Sequence, residues 1–302
     1  MTYCFLSPIY TMTFVLPATL FRRQLRRILN SSVMSMQTSA KQARPDHLER
    51  TANNTREDVI SPATVTSITQ LSATVKGLKL KVHDLRLRFK AGQWVDMTIP
   101  GVDVVGGFSM SSSPRQLCDK GMIDLAVKHS SHPPAAWVHE KCKTGDQVTV
   151  RTGGDFYYDP QPGDLPTHLL LLAGGVGINP LISILRHVTD LNQSDMEKPV
   201  QARLLYSARS EDELIYKDAL ISLEENHKNV KCQFFVTKEL CTHPVLKSGR
   251  ITKTEIEEAV RELGADQTTC YICGPFPMIK SLEGQLLTLD VPPERILYEK
   301  WW

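Results

Sequence analysis

The chain is 302 residues long, 41% hydrophobic and 23% charged, with a formal net charge of +2. That length holds two cored domains, that composition is ordinary for a folded globular protein, and so small a net charge makes no case for a nucleic-acid partner. The seven cysteines are odd in number and scattered, which reads as reduced thiols, and no Cys or His set has zinc or iron–sulfur ligand spacing, so no metal site is expected.

Residues 1–45 carry Arg22, Arg23, Arg26, Arg27, Lys41 and Arg44 and no Asp or Glu. On a helical wheel Phe21, Leu25, Ile28 and Leu29 share one side and the four arginines the other, the pattern of a mitochondrial presequence. Two other readings stay open: residues 3–21 as a signal peptide or short anchor, interrupted by Pro8 and Pro17, and a start at Met12, Met34 or Met36. Residues 46–60 are polar and charged and read as a linker or a surface arm. Over 61–160, short alternating runs predict strands near 63–68, 78–82, 93–99, 107–110, 122–128 and 147–151, punctuated by Gly92, Gly101, Gly121, Gly145 and Gly153. Six such strands make a small antiparallel β-barrel or sandwich, with one helix expected over 134–141.

The turn-rich stretch from Asp159 to Pro166 marks a boundary, and a second domain is expected over 161–302. There, strands near 169–173, 203–206, 231–236, 269–273 and 296–298 alternate with helices near 181–188, 213–224, 254–263 and 278–287. That alternation predicts an α/β fold with a doubly wound parallel sheet, which binds ligands at the carboxyl ends of its strands. The run Leu169-Leu170-Leu171-Leu172-Ala173 opens it and leads into Gly174-Gly175-Val176-Gly177-Ile178-Asn179-Pro180. Glycines let backbone approach a ligand, and a helix start presents free N–H groups to an anion, so the expected guest is a nucleotide pyrophosphate. Asn179 and Pro180 suit the cap and first turn of the following helix. No stretch after residue 60 is long enough to span a membrane.

Three motifs stand in register: Phe108-Ser109-Met110-Ser111-Ser112-Ser113-Pro114, the glycine turn 174–180, and Cys273-Gly274-Pro275-Phe276-Pro277-Met278. With Gly92-Gln93-Trp94-Val95 and Gly145-Asp146-Gln147-Val148, they give a chain that resembles the ferredoxin–NADP reductase family of flavoproteins over roughly residues 61–302. The resemblance implies an FAD-binding barrel followed by an NAD(P)-binding domain, with hydride passing from nicotinamide to flavin. It implies Ser109 near flavin N5, Phe108 packed on the flavin, Gly174, Gly175, Val176, Gly177, Ile178, Asn179 and Pro180 around the nicotinamide dinucleotide's pyrophosphate, and Gly274 and Pro275 at its nicotinamide end. Cys273 falls at the nicotinamide edge. The C-terminus falls near the flavin, so Glu299 and Trp301 or Trp302 join Ser109 and Cys273 as candidate active-site residues.

The chain departs from the family at Gly106, where an arginine usually neutralises the flavin pyrophosphate. Arg88, Lys90 and Arg115 are candidate replacements; otherwise flavin binds weakly or is absent. A second phosphate contact, usually a hydroxyl opening a helix, is replaced by His132-Pro133-Pro134-Ala135-Ala136, whose helix-start N–H groups remain as donors. After the second strand of the α/β domain, Tyr206-Ser207-Ala208-Arg209 offers Arg209, with Lys217 further on, to a 2′-phosphate, and no acid ends that strand; NADH is expected, with NADPH as the alternative. The expectation is a mitochondrial, FAD-dependent NAD(P)H oxidoreductase that hands electrons to a separate protein or small-molecule acceptor. Its rival is a non-enzymatic NAD(H) sensor or scaffold that has lost flavin.

Overall fold

A computed structural model describes residues 46–161, 164, 167–193, 199–239 and 245–300. The proposed presequence, Trp301 and Trp302 lie outside the described residues.

The first sheet is antiparallel and six-stranded: β1 (Arg56–Ser72), β2 (Val75–Val82), β3 (Trp94–Thr98), β4 (Gly106–Ser109), β5 (Met122–Lys128) and β6 (Gln147–Gly153), in the order β4-β3-β6-β1-β2-β5. The two edges meet where Met110 bridges Leu125, so the sheet is a nearly closed barrel. Alternation builds its core: Val65, Leu78, Leu80, Val95, Met97, Ile123, Leu125 and Val150 point inward and are buried. Helix α1 (His47–Arg50) precedes the barrel, α2 (Pro114–Lys120) links β4 to β5, and α3 (Pro133–Glu140) precedes β6.

The second sheet is parallel: β7 (His168–Gly174), β8 (Ala202–Ala208), β9 (Val230–Val236), β10 (Leu246–Ser248), β11 (Thr268–Cys273) and β12 (Ile296–Glu299), in the order β10-β9-β8-β7-β11-β12. Its helices are α4 (Ile178–Asn192), α5 (Lys217–Asn226), α6 (Lys253–Leu263) and α7 (Phe276–Leu287). Helices α4 and α5 cover the face that carries Leu169, Leu171 and Ala173, while α6 and α7 cover the face that carries Leu170 and Leu172. Both faces are buried, which is why β7 reads as an unbroken apolar run. The sheet is doubly wound, as the sequence predicts.

Helix α4 is the joint of the molecule. Its apolar side packs on the sheet, and the same cluster continues into Ala91, Ala126, Phe156 and Tyr158 at the barrel. Its other side is polar and buried. Asn179 donates through Nδ2 to the Ala126 carbonyl at 2.8 Å, Ser183 Oγ donates to the Ser112 carbonyl at 2.7 Å, and the Arg186 guanidinium donates to the Ser111 carbonyl at 2.7 Å. Tyr216 closes this seam, its hydroxyl 3.1 Å from Ser111 Oγ, and the Arg186 guanidinium lies over its ring. Asn179 is therefore not the helix cap expected from sequence. The helix starts two residues earlier, at Ile178 after the cap Gly177, and the Asn179 side chain ties the barrel to the sheet.

Of the two readings of 46–60, the structure shows an arm held on the barrel and not a linker. Asp46 and Glu49 form a reciprocal capping box around α1, and β1 begins at Arg56. His47 is only 2% exposed, 2.7 Å from Asp96 on β3, while Arg56 Nε donates to the other Asp96 oxygen at 2.7 Å. Two partners on a buried carboxylate hold this polar segment against the barrel, an arrangement that no local periodicity signals.

Candidate functional site

In the parallel sheet β7 has its successor β8 on one side and β11 on the other, so the chain reverses its direction of travel between β7 and β11. Such a switch point leaves a crevice beyond the strand ends, where doubly wound folds take their ligands. The glycine turn leaves β7 there, as a 3-10 turn over Gly175–Gly177 that runs straight into α4. Gly274 and Pro275 leave β11 opposite it.

The three glycines do not share one role. Gly175 has a positive φ of 54°, and a Cβ built on it would meet nothing within 4 Å; it faces open space. Gly174 packs on the Met278 sulfur and the Pro275 ring, and a Cβ on Gly177 would run into the backbone carbonyl of Cys273. Gly174, Gly177 and Gly274 thus let two loops touch, and Gly175 is the glycine exposed to a ligand. A helix start and an open glycine at a switch point make an anion cradle, and these residues fit a dinucleotide's pyrophosphate.

Cys273 stands in register with Ala173 on one side and Glu299 on the other. It is fully buried, and burial, with Glu299 adding to it, holds the thiol well above its ordinary range, so it is neutral. A neutral buried thiol is a packing group at the sheet edge, not a nucleophile. Cys270 lies in the cluster on the opposite face and burial pushes its thiol up to about 12, so Cys270 and Cys273 form no redox pair. Among the described residues no group of His, Cys, Asp and Glu forms a metal site, and no helix is long and apolar enough to cross a membrane.

Beside Glu299 opens a cleft of about 270 Å³, lined by Leu297, Tyr298, Glu299 and Lys300 from the C-terminal strand, by Trp94, Asp155 and Phe156 from the barrel, and by His47, Arg50, Thr51 and Asn54. Ser109 is the rung partner of Trp94 and lies 7% exposed on β4. The structure thus gathers the glycine turn, Gly274, Pro275, Cys273 and Glu299 at the sheet edge, with Ser109 one strand behind the cleft wall. The cleft wall built by 47–54 was not legible in the sequence.

The barrel's fit to FAD is decided at its phosphate end. Glycine at 106 supplies no cation, and the Phe108 ring and Pro134 close the space that a side chain there would use. The three candidate replacement cations are engaged elsewhere: Arg88 on the Leu85 and Leu87 carbonyls, Lys90 on Asp159 at 3.0 Å, Arg115 on Asp119 at 3.4 Å. Two of the donors expected at the start of α3 are also missing, because its first two residues, Pro133 and Pro134, have no N–H, which leaves that of Ala135. Phe108 packs against the barrel core and brings no hydroxyl. These residues do not fit an FAD gripped by its pyrophosphate.

Beyond β8, Lys217 at the start of α5 pairs with Glu211 at 2.5 Å. Of the two cations expected near a 2′-phosphate, Lys217 is thus neutralised while Arg209 is exposed directly after the strand, and an acid absent from the strand end itself, Glu211, sits in the loop that follows.

The family model described as "Oxidoreductase NAD-binding domain" matches residues 171–284, which contain the glycine turn and the Cys273 loop. The solved structure of the cytochrome P450 reductase GcoB from Amycolatopsis superposes with a TM-score of 0.69 at 23% identity, over 82% of this chain and 71% of that one, a likeness of fold. The reductase component of propane 2-monooxygenase from Mycolicibacterium goodii is 28% identical over 75% of this chain and 63% of its own length. Oxidoreductase NAD-binding domain-containing protein 1 from Xenopus laevis is 46% identical over 288 residues, 91% of this chain and 90% of its own. At that identity, and with the switch-point turn in place, the chain belongs to the oxidoreductase NAD-binding domain-containing protein 1 family.

Proposed function

We propose that this chain is a nicotinamide-dinucleotide-dependent oxidoreductase whose electron acceptor is a separate protein or small molecule. The observation that carries the reading is the glycine turn at the sheet's switch point, with Gly175 open and at positive φ ahead of α4. Gly174 to Pro180 hold the pyrophosphate, and Gly274, Pro275 and Cys273 border the nicotinamide end. Bound there, a reduced dinucleotide supplies a hydride. Cys273 keeps that edge apolar and uncharged, and Glu299 places one carboxylate between it and the cleft. The dinucleotide is NADH rather than NADPH, because Glu211 neutralises Lys217 and so leaves Arg209 without the second cation that a 2′-phosphate would want.

The resemblance leads one step further, to FAD as the first hydride acceptor and Ser109 and Phe108 as its contacts. The reductase names of the relatives support that step. The phosphate end of this barrel does not, so no transfer is drawn through flavin. The same observation favours a second reading, an NAD(H)-binding sensor or scaffold. One experiment separates them: purified full-length chain is titrated with NADH, then given ferricyanide or a quinone. Saturable binding with NADH oxidation supports the enzyme; binding without oxidation of NADH by any acceptor supports the sensor; absence of binding refutes both. The mitochondrial address rests on the Arg22–Arg27 amphipathic pattern, and a reporter fused to residues 1–45 that stays cytosolic would overturn it.

A further inference from the structure

The loop from β8 to α5, residues 209–216, leaves the carboxyl end of the sheet, where doubly wound folds read the adenosine ribose of a dinucleotide. It is held along its length. On the β9 side the Thr237 and Lys238 N–H groups donate to the Ala208 and Arg209 carbonyls at 3.0 and 2.9 Å, and the Glu211 N–H donates to the Glu239 carboxylate at 3.1 Å. Further on, the Tyr206 hydroxyl donates to the Glu213 carbonyl at 3.3 Å, and Leu214 and Ile215 are buried. The loop ends at Tyr216, the residue that caps α5.

Tyr216 stands in a conformation that its residue type resists. A cap residue is normally extended, yet Tyr216 has φ 67° and ψ 7°, in the left-handed region. Among the described residues the only other non-glycine at positive φ is Asp290, and aspartate tolerates that region where a bulky aromatic does not. Such a residue persists only where its surroundings over-determine it. Here they do. The Tyr216 hydroxyl donates to Ser111 Oγ at 3.1 Å, and Ser111 Oγ donates in turn to the Asp124 carbonyl on β5 at 3.2 Å. The Arg186 guanidinium, bonded to the Ser111 carbonyl, lies 5.6 Å from the ring centre. The ring is therefore fastened to the barrel. The next residue, Lys217, opens α5 and meets Glu211. Glycine would make the same bend without strain, but it would give up the bond to the barrel.

We infer that Tyr216 is a positioning residue for the dinucleotide: anchored on Ser111 of the barrel, it fixes the loop so that Lys217 stays on Glu211 and a 2′-phosphate meets no second cation. The inference rests on the nicotinamide-dinucleotide reading above and names what enforces its preference for NADH. Full-length wild type, Tyr216→Phe, Tyr216→Gly and Ser111→Ala are titrated with NADH and with NADPH by calorimetry. Tyr216→Phe and Ser111→Ala cut the same bond from its two ends, and Tyr216→Gly also releases the strain. The ratio of NADH to NADPH affinity is expected to fall at least about threefold in all three. Ser183→Ala loosens the same seam through α4 without touching Tyr216, and is expected to keep the wild-type ratio; a role in stability alone would give it the same effect as the others. If Tyr216→Phe does not fold, Ser111→Ala carries the test. A ratio unchanged in the folded variants, or lowered as far by Ser183→Ala, would overturn the inference and leave the dinucleotide site standing. So would a wild type that prefers NADPH. A wild type that binds neither dinucleotide would instead refute the nicotinamide reading, and this inference with it.

Discussion

Replacing each glycine of the turn by alanine separates packing from ligand contact. At Gly177 the new methyl would meet the Cys273 carbonyl, a backbone group that cannot rotate aside. The upper end of the overpacking range applies, about 3 kcal/mol, or about a hundredfold in the folded-to-unfolded ratio. At Gly174 the obstacles are the Met278 sulfur at 2.5 Å and the Pro275 ring at 2.9 Å. Met278 can turn away but the ring cannot, so the cost falls between, about 1–2 kcal/mol. At Gly175 there is open space, and the whole cost is that of holding alanine at φ 54°, about 1 kcal/mol. Urea unfolding of the three variants, followed by fluorescence and circular dichroism, reads the order directly. Stability should fall least for Gly175→Ala and most for Gly177→Ala. A Gly177→Ala protein as stable as wild type would refute the claim that this glycine exists to let the two loops touch.

The polar joints give further expectations. Ser183→Ala leaves the Ser112 carbonyl and the Gly92 N–H without their partner, and should cost about 2 kcal/mol in denaturant unfolding; a neutral effect would show the seam is not built by these bonds. Asp96→Ala strands His47 and Arg56 and should cost about 3 kcal/mol by the same assay. Because the Asp96 carboxyl is depressed in the fold from an ordinary value of 3.8, its contribution is present above that pH and is lost as pH falls below it. Acid unfolding curves of wild type and Asp96→Ala should therefore converge below pH 3.8, and parallel curves would contradict the linkage. NADH should bind at least about tenfold more tightly than NADPH, a difference of about 1.4 kcal/mol, and Glu211→Gln should narrow it by freeing Lys217.

The alternation of apolar runs made the barrel strands and the doubly wound sheet legible, because period 2 and period 3.6 record which face is buried. The glycine turn was legible for the same reason, as a break between two such periods. What each glycine does was not. Gly177 and Gly175 look alike in sequence, and only the opposing loop from β11 makes one a packing residue and leaves the other open. Asn179 has the residue type of a cap but spends its side chain on Ala126, a partner 53 residues away. An arm at 46–55 was one of two readings, and what it packs on was not legible, because its order comes from one distant carboxylate, Asp96, and from Gly107, whose missing side chain makes room for His47. At Gly106 the departure from the family was visible at once. The paired cations and the two prolines of α3 are what turn that departure into a misfit.

The central claim is that a nicotinamide dinucleotide rests its pyrophosphate on the turn at Gly175. Aspartate tolerates left-handed backbone, and the space beside Gly175 is open, so Gly175→Asp should fold while directing a carboxylate at the phosphates. Titration of full-length wild type and Gly175→Asp with NADH by calorimetry is the direct measurement. Affinity is expected to fall at least about tenfold, 1.4 kcal/mol, with the unfolding transition retained. NADH affinity unchanged in the folded variant would contradict the account and move the dinucleotide elsewhere.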